Sequence, residues 1–391
     1  MSPWRIVFLK EVRENLRDKR VMFSTFVLGT LMGPVLFAGL IGLMISVTLE
    51  RGEKPLELPV AGAQHAPNLI AFLKNRGVQI EDAPADAEAA IRKRDKDVIL
   101  RIPPEYAQQW RDGRAATLEL VVDRSQQKAE QTVSRAERLI NEYAGQTAAL
   151  RLIVRGVSPS VVQPVLIADV DQSTPQSRGG LLLAMLPYLL ILTVFSGGSY
   201  LATDATAGER ERQSLEPLLI NPVSRGQIMG GKLIATFTFA VASLAISLLA
   251  FSLSTPFLPV EKIGMVVKLG PLECALLFLI VAPLGLIGAG LLTSVSAFAK
   301  GFREAQTYNT LLIILPAIPS MLMALNPVKP ADWMYTVPLL SHQLLIEQTV
   351  RGESLVAWQV AASIGATLAI GIVIAMIAAR LYHREHLAIS A

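Results

Sequence analysis

The stretch GQIMGGKL at residues 226–233 has the G-x-x-x-x-G-K spacing of a loop that cradles phosphate. A working phosphate loop follows a buried strand, and a Ser or Thr after its lysine holds magnesium. Here Leu233 follows Lys232, and Pro-Val-Ser at 222–224 stands in place of a strand. These departures predict that the chain does not bind ATP itself. Lys232 is expected to end an apolar helix, with its ammonium in water, beside a tight turn allowed by the glycines.

Cysteine and histidine give no sign of a metal or catalytic cluster. Cys274 is the one cysteine and lies in an apolar run, so disulfides and thiolate metal clusters are not expected. His65, His342, His383 and His386 all lie outside the apolar runs. An intramembrane hydrolase needs paired His, Asp or Glu side chains at mid-membrane depth, so this class is disfavoured.

Long apolar runs dominate the composition. Of the 391 residues, 52% are hydrophobic and 17% are charged. A helix of about 20 apolar residues crosses the hydrocarbon core of a bilayer. Runs of this kind occupy 21–49, 181–203, 233–254, 272–298, 307–325 and 357–379. The sequence therefore predicts a polytopic α-helical membrane protein with six transmembrane helices.

Basic residues cluster on one side of these predicted helices. Lys and Arg precede the first helix and follow the second, fourth and sixth, and six crossings place those four segments on the same side. Short segments rich in Lys and Arg stay in the cytoplasm. We therefore expect a multi-pass protein of the inner (plasma) membrane, with both termini cytoplasmic and residues 50–180 outside. This pattern accounts for the net charge of +4, so no nucleic-acid partner is expected.

Residues 1–20 predict an amphipathic helix on the cytoplasmic membrane surface, ahead of transmembrane helix 1 at 21–49. Apolar residues recur every four positions, at Trp4, Phe8, Val12 and Leu16. Basic residues occupy the other faces, so the helix can lie in the headgroup plane. The alternative interpretation is a solvated, charged leader.

Residues 50–180 have soluble character. Four short segments bounded by Gly, Pro or Asp read as strands, namely PLELPVAG, GVQIED, DVILRIP and ATLELVVD. Two helical patterns, PNLIAFLKNRG and DAEAAIRKRD, lie between them, and a long one follows from 125 to 155. The sequence predicts an α/β extracytoplasmic domain between transmembrane helices 1 and 2. It contains no phosphate loop and no His or Cys cluster.

Residues 181–391 carry predicted transmembrane helices 2–6. Pro283, Pro316 and Pro319 are expected to kink the fourth and fifth of these. The segment 326–356 contains VPLLSHQLLIEQTVRGE, where proline and charged residues interrupt any crossing. We expect a short helix at the outer membrane surface there.

Polar side chains within or beside the apolar runs are candidates to line a translocation path, because polar groups in a membrane are costly. The candidates are Ser196, Ser199, Tyr200, Thr203, Asp204, Thr307 and Asn309. For any one of them, hydrogen bonding between helices is the simpler interpretation.

The segment GERERQSLEPLLINPVSR joins the second and third predicted helices. Its charged and apolar residues predict a short amphipathic helix over 208–222, ended by Asn221-Pro222 because proline disfavours a helical residue before it. The helix binds a cytoplasmic partner or is a connector with solvated charges, and the residue pattern leaves both open.

This order of residues resembles the permease subunits of type-2 ABC exporters, in particular the NatB-like sodium-efflux permeases. In that family an acidic pair, matched here by Glu209 and Glu211, begins a cytoplasmic coupling helix beside the ATPase subunit. The resemblance implies ATPase-coupling roles for Glu209, Arg210, Glu211, Arg212, Leu215, Glu216, Leu218, Leu219, Pro222 and Arg225. Many members have Gly-Thr where this chain has Gln213-Ser214. The likeness covers essentially the whole chain.

The resemblance further implies a transport subunit that is not an enzyme and binds no cofactor. ATP and Mg would be held by a separate cytoplasmic ABC ATPase, and a second permease copy (a homodimer) or a related permease would complete the assembly in the lipid bilayer. Sodium as substrate follows from the resemblance alone, since no carboxylate lies at mid-span and no metal ligands are assigned. Export of a lipid, drug or peptide is the alternative. A membrane receptor or sensor using residues 50–180 is a second alternative of another class.

Overall fold

A computed structural model describes residues 2–53, 55–126, 129–161, 170–214, 222–325 and 329–381. The chain forms two units, one made of Met1–Val47 with Gln172–Ala391 and the other of Thr48–Asp171. The predicted domain boundary at residue 180 falls inside a helix of the first unit, Pro175–Leu182. The two units are called the helical unit and the sheet unit below.

The helices of the described chain, in order, are α1 (Pro3–Arg17), α2 (Lys19–Met22), α3 (Met32–Glu53), α4 (Pro67–Asn75), α5 (Ala87–Arg92), α6 (Tyr106–Arg111), α7 (Glu130–Val154), α8 (Pro175–Leu182), α9 (Leu186–Thr203), α10 (Glu209–Glu211), α11 (Arg225–Ser254), α12 (Pro271–Val281), α13 (Leu284–Phe298), α14 (Phe302–Ile314), α15 (Ala317–Leu325), α16 (Leu340–Arg351) and α17 (Ala357–Leu381). Two π-helical stretches, Phe23–Leu31 and Asp204–Gly208, continue the helical path before α3 and after α9.

Within the described residues, four helical stretches are long and apolar enough to cross a membrane: Phe23–Val47, Leu186–Glu211, Arg225–Phe257 and Ala357–Leu381. The pair α12 and α13 counts as a fifth when taken as one broken span, bent by 43°. Pro283 lies at that break and cannot donate a backbone hydrogen bond, which accounts for the predicted kink.

The predicted fifth span, 307–325, differs from the expectation. It is divided between α14 and α15, of 13 and 9 residues, which are separated at Leu315-Pro316. Each is shorter than the roughly 20 residues that a crossing requires. Six crossings therefore stay a prediction.

The sheet unit holds a four-stranded sheet at the four predicted strand segments. Its strands are β1 (Glu57–Ala61), β2 (Gln79–Asp82), β3 (Val98–Arg101) and β4 (Glu119–Val122), in the order β2-β1-β3-β4. β1 runs parallel to β2 and β3, and β4 pairs with β3 antiparallel. Helices α4 and α7 bury Leu69, Leu73 and Val133 in the main core of this sheet. That the unit lies outside the cell stays a prediction.

The N-terminal helix α1 forms as expected but buries a different face. The residues buried are Val7, Glu11 and Asn15, spaced four apart, whereas Leu16 of the predicted apolar stripe is half exposed. Phe8 and Val12 are partly buried against residues of α9 and α11. A carboxylate and an amide on the buried face show that polar contacts, as well as apolar packing, hold this helix.

Helix α16 occupies the segment for which a short surface helix was predicted. Six consecutive residues, Ser341 to Ile346, are buried. The Ser363 hydroxyl of α17 donates to that of Ser341 at 2.8 Å. The helix is therefore packed against its neighbours in the helical unit, and its place at the outer membrane surface stays a prediction.

Helices α9 and α11 approach closely at two glycines. A Cβ added at Gly197 would lie 2.5 Å from the Cβ and Oγ of Ser243, and one at Gly198 would lie 2.8 Å from Cγ2 of Thr236. Small residues at such points let helix backbones pack closely in membranes. This contact brings the polar ends of α9 and α11 together.

Replacing Gly197 tests this packing. We expect Gly197→Ala to destabilise the protein by about 1–3 kcal/mol, because overpacking a tight contact forces neighbouring atoms to move. The matched control is Gly230→Ala in α11, where an added Cβ meets nothing within 4 Å. Thermal unfolding in detergent measures both variants. Equal melting temperatures would show that α9 and α11 are not in close contact at Gly197.

Candidate functional site

Charged side chains from three helical segments meet inside the helical unit. Lys10 and Glu11 come from α1, Glu209 follows the π-helical stretch that extends α9, and Lys232 lies in α11. Glu11, Glu209 and Lys232 are 2%, 3% and 0% exposed. We call these four residues the charge network.

The Glu209 carboxylate is held between two ammonium groups. Lys232 Nζ donates to Oε2 of Glu209 and to the carbonyl oxygen of Ala205. Lys10 Nζ donates to the other carboxylate oxygen, Oε1, at 2.5 Å, and to Oε1 of Glu11 at 3.2 Å. That Glu11 oxygen lies 3.9 Å from Lys232 Nζ. Two positive and two negative charges thus share one site, in which Lys10 is partly exposed and the other three side chains are buried.

A glycine lets α1 reach this site. A Cβ added at Gly231 would lie 2.7 Å from the Trp4 carbonyl oxygen and 2.8 Å from Cβ of Val7. Only a residue without a side chain fits there, and Lys232 is its immediate neighbour. The close approach therefore places Lys10 and Glu11 within reach of the α11 ammonium.

The expectations for residues 226–232 are partly corrected. These residues lie inside α11, so the predicted tight turn does not form. Beyond the first turn of a helix the backbone N–H groups bond within it, so Gly230, Gly231 and Lys232 do not form the loop that cradles a phosphate. The prediction that the Lys232 ammonium stays in water is wrong, because Glu209 and Ala205 replace its water.

This arrangement shifts the pKa values of the two charged side chains that α1 contributes. Burial disfavours the charged form of Lys10, but Glu11 and Glu209 outweigh it and raise the pKa of Lys10 above its usual range. Burial raises the pKa of Glu11, against the opposing effect of Lys232. A buried charge is tolerated when it is paired and hydrogen-bonded. Each member of the network therefore depends on the others.

The two residues after Glu209 form hydrogen bonds to the backbone at the junction between α13 and α14. Arg210 donates to the carbonyl oxygens of Ala299 and Ala297 at 2.9 and 2.5 Å, at the C-terminal end of α13. Glu211 accepts a hydrogen bond from the backbone N–H of Phe302, the first residue of α14, at 2.8 Å. A cation at a helix C-terminus and an anion at an N-terminus both match the helix dipole. The sequence Glu-Arg-Glu thus contacts four helices.

The helix predicted over 208–222 is interrupted after Glu211, and residues 215–221 lie outside the described residues. Helix α10 ends at Glu211, and Gln213 adopts φ +56°, a left-handed conformation that interrupts helical hydrogen bonding. Arg212 turns back and donates to Asp204 at 2.8 Å. The predicted coupling residues Leu215, Glu216, Leu218 and Leu219 lie outside the described residues. Pro222 lies between α10 and α11, and Arg225 is the first residue of α11.

Two of the predicted path residues meet in the structure. Asn309 Nδ2 donates to Oγ1 of Thr203 at 2.9 Å and to Oγ of Ser296 at 2.7 Å. All three side chains are fully buried, so one amide joins α9, α13 and α14. Ser296 had not been predicted. These contacts hold helices together, and a role in translocation stays a prediction.

The other predicted path residues make contacts within their own segment or with a neighbouring helix. These are Ser196 with the Thr193 carbonyl, Ser199 through its carbonyl with Thr203, Tyr200 edge-on to Phe302, Asp204 with Arg212, and Thr307 with the Arg303 carbonyl. Asp204 belongs to the π-helical stretch that precedes Glu209. π-Helical turns are rare and are often found at functional sites.

Sequence reasoning missed the α1 half of the charge network. The available signal was the spacing of Val7, Glu11 and Asn15, which places two polar side chains on the face adjoining the apolar stripe. Lys10, one position away, pairs with Glu209 across 199 residues of chain. Such a pairing leaves no local pattern in the sequence.

The comparisons with known proteins agree with this architecture. The family described as ABC-2 family transporter protein matches residues 24–380. The chain belongs to this family. It is also 26% identical over 352 residues to the ABC transporter permease protein NatB of Bacillus subtilis (strain 168), over 88% of this chain and 89% of that protein.

The family assigns the chain its general role. ABC-2 permeases are transmembrane transport components rather than ATPases, and a cytoplasmic ATPase is their general partner. Together with the apolar helices, membership makes this chain a multi-pass protein of the plasma membrane. The predicted resemblance to NatB-like ABC-2 permeases is confirmed.

Breaking the charge network should be costly. We expect Lys232→Met to destabilise the protein by about 3–5 kcal/mol, because a buried Glu209 loses one of its two counter-charges. Adding Glu209→Gln to that variant should restore part of the loss, since the unpaired charge is then removed as well. Thermal unfolding in detergent measures both variants.

The control for this prediction is Arg212→Gln, which breaks the more exposed pair with Asp204. Exposed ion pairs contribute about 1 kcal/mol or less. If Lys232→Met proved no more harmful than Arg212→Gln, the buried network would not stabilise the fold.

Proposed function

We propose that this chain is the transmembrane permease of an ATP-driven sodium exporter, powered by a separate cytoplasmic ATPase that holds ATP and Mg. The observation that carries the proposal is the Glu209 carboxylate shared between Lys10 of α1 and Lys232 of α11. It connects the segment expected to contact the ATPase with two helices of the helical unit.

The contacts of residues 209–211 support a coupling role. Glu209 is tied to α1 and α11, Arg210 to the end of α13, and Glu211 to the start of α14. Buried, hydrogen-bonded charges are expensive to separate, so these helix ends move together when the segment moves. A movement that the ATPase imposes on residues 209–225 therefore displaces four helices together.

The helix breaks supply places where such a movement can be absorbed. The 43° bend between α12 and α13 and the gap between α14 and α15 both lie on helices whose other ends are held by Arg210 and Glu211. Breaks at proline are where helices bend and where segments rearrange. We propose that these two breaks are the hinges of the transport cycle.

The membrane arrangement proposed with this function has six crossings, both termini in the cytoplasm and residues 50–180 outside, in a homodimer or a pair with a related permease. The Lys and Arg bias of the short segments supports the orientation. Sodium is proposed from the resemblance to NatB-like permeases. Hydroxyl and carbonyl oxygens, as at Thr203, Ser296 and Asn309, can bind sodium without a carboxylate.

Affinity purification of the chain from its native membrane in mild detergent tests the partner. We expect an ATPase subunit in stoichiometric amount, because the permease carries no phosphate loop at 226–232. Less ATPase activity per permease should be recovered with Glu211→Ala, because this variant no longer ties the segment expected to contact the ATPase to the start of α14. Recovery of the intact chain without an ATPase would count against the proposal.

Sodium uptake into inverted vesicles that carry the chain and its ATPase tests the substrate. ATP should drive uptake, and Glu211→Ala should reduce it severalfold more than the control Arg212→Gln, whose exposed ion pair stays within its own segment. Vesicles that hydrolyse ATP but take up no sodium would exclude sodium and leave export of a lipid, drug or peptide.

A further inference from the structure

A groove in the sheet unit lies between α6 and α7. It has a volume of about 460 Å³, within the range of small-molecule sites in proteins. Ala115, Ala116 and Leu118 line it from the segment after α6, and Ile140 and Ala144 line it from α7. Short apolar side chains leave this space open between two helices.

One wall of the groove is a row of three aromatic rings. Trp110 is stacked on Tyr106 at 5.8 Å and 20°, and on Tyr143 at 5.6 Å and 12°. A second cavity of about 270 Å³, reaching His65 and Asn68, shares this wall. The rings also pack against the core of the sheet, so the wall is held in place before any ligand arrives.

Among the residues that the structure describes, two charged side chains line the groove, and both are arginines. The Arg151 guanidinium lies 4.5 Å from the centre of the Trp110 ring and donates one hydrogen bond to the Trp110 carbonyl at 3.0 Å. Arg114 is the second, and it also pairs with Asp112 at 2.7 Å. A guanidinium has five N–H donors, so Arg151 has donors left beyond the one bonded to Trp110.

We infer that this groove binds an organic anion with an apolar body, the carboxylate or phosphate facing Arg151 and the body lying along the aromatic wall. An inorganic anion would not cover the apolar side chains that line the groove. A neutral apolar molecule would cover them but would provide no negative charge for the Arg151 guanidinium. Arginine held over an aromatic ring is weakly hydrated and rigid, which favours recognition of such an anion. Binding does not depend on the transport function proposed above.

Calorimetric titration of the full-length chain in lipid nanodiscs, with empty nanodiscs as baseline, tests the inference. The probes are 2-naphthoate and decanoate, which share a carboxylate and differ in an aromatic or acyl body, and 2-naphthol as a neutral analogue. We expect at least one carboxylate to bind and 2-naphthol to bind about tenfold or more weakly, as loss of a charge-assisted hydrogen bond implies. The preferred carboxylate tells an aromatic acid from a fatty acid.

Two variants and one control separate the site from general effects. Arg151→Gln should weaken carboxylate binding about tenfold or more, and Ala148→Phe should block it by filling the groove while keeping both arginines. Arg138→Gln, on an exposed part of the same helix outside the groove, should bind as the unaltered chain does. No carboxylate binding at millimolar concentration, equal binding of 2-naphthol, or unchanged binding by the first two variants would each overturn the inference.

Discussion

The carboxylate of Glu209, shared by the ammonium groups of Lys10 and Lys232, is the interaction around which the helical unit is organised. Charges away from water are destabilising unless their partners are fixed in place. Fixing them requires α1 to lie against α11, which Gly231 allows, and α9 to lie against α11, which Gly197 allows. The glycines at these helix crossings are needed because the helices must pack closely to bring the buried charges into contact.

This constraint explains why the segment after α9 changes its helical form. The π-helical stretch Asp204–Gly208 presents the Ala205 carbonyl to Lys232 and is followed at once by the residues that contact four helices. In an uninterrupted helix from α9 to residue 222, Glu209, Arg210 and Glu211 would point in three different directions around one straight helix axis. The break at Gln213 lets the chain leave the site after those contacts are made.

Local patterns predicted the elements of this protein well, and long-range pairing limited the prediction of its site. The strand segments around Val60 and Leu100 stand between Gly, Pro and Asp, so their bounds are visible in the sequence. In the sequence, Lys232 stands at the end of an apolar run, and this pattern is the same whether its ammonium is solvated by water or paired with Glu209. Glu11 was not among the predicted site residues, because its distant partner, Lys232 of α11, lies more than 200 positions later in the chain.

The separation of these partners along the chain bears on how the protein is made. Helix α1 is synthesised well before the groups that complete it, because Glu209 and Lys232 emerge some two hundred residues later. Until then the ionic partners of Lys10 are its neighbours in α1, Glu11 and Glu14. Helix α1 thus cannot reach its final position until α11 and the segment that follows α9 have been synthesised and have met.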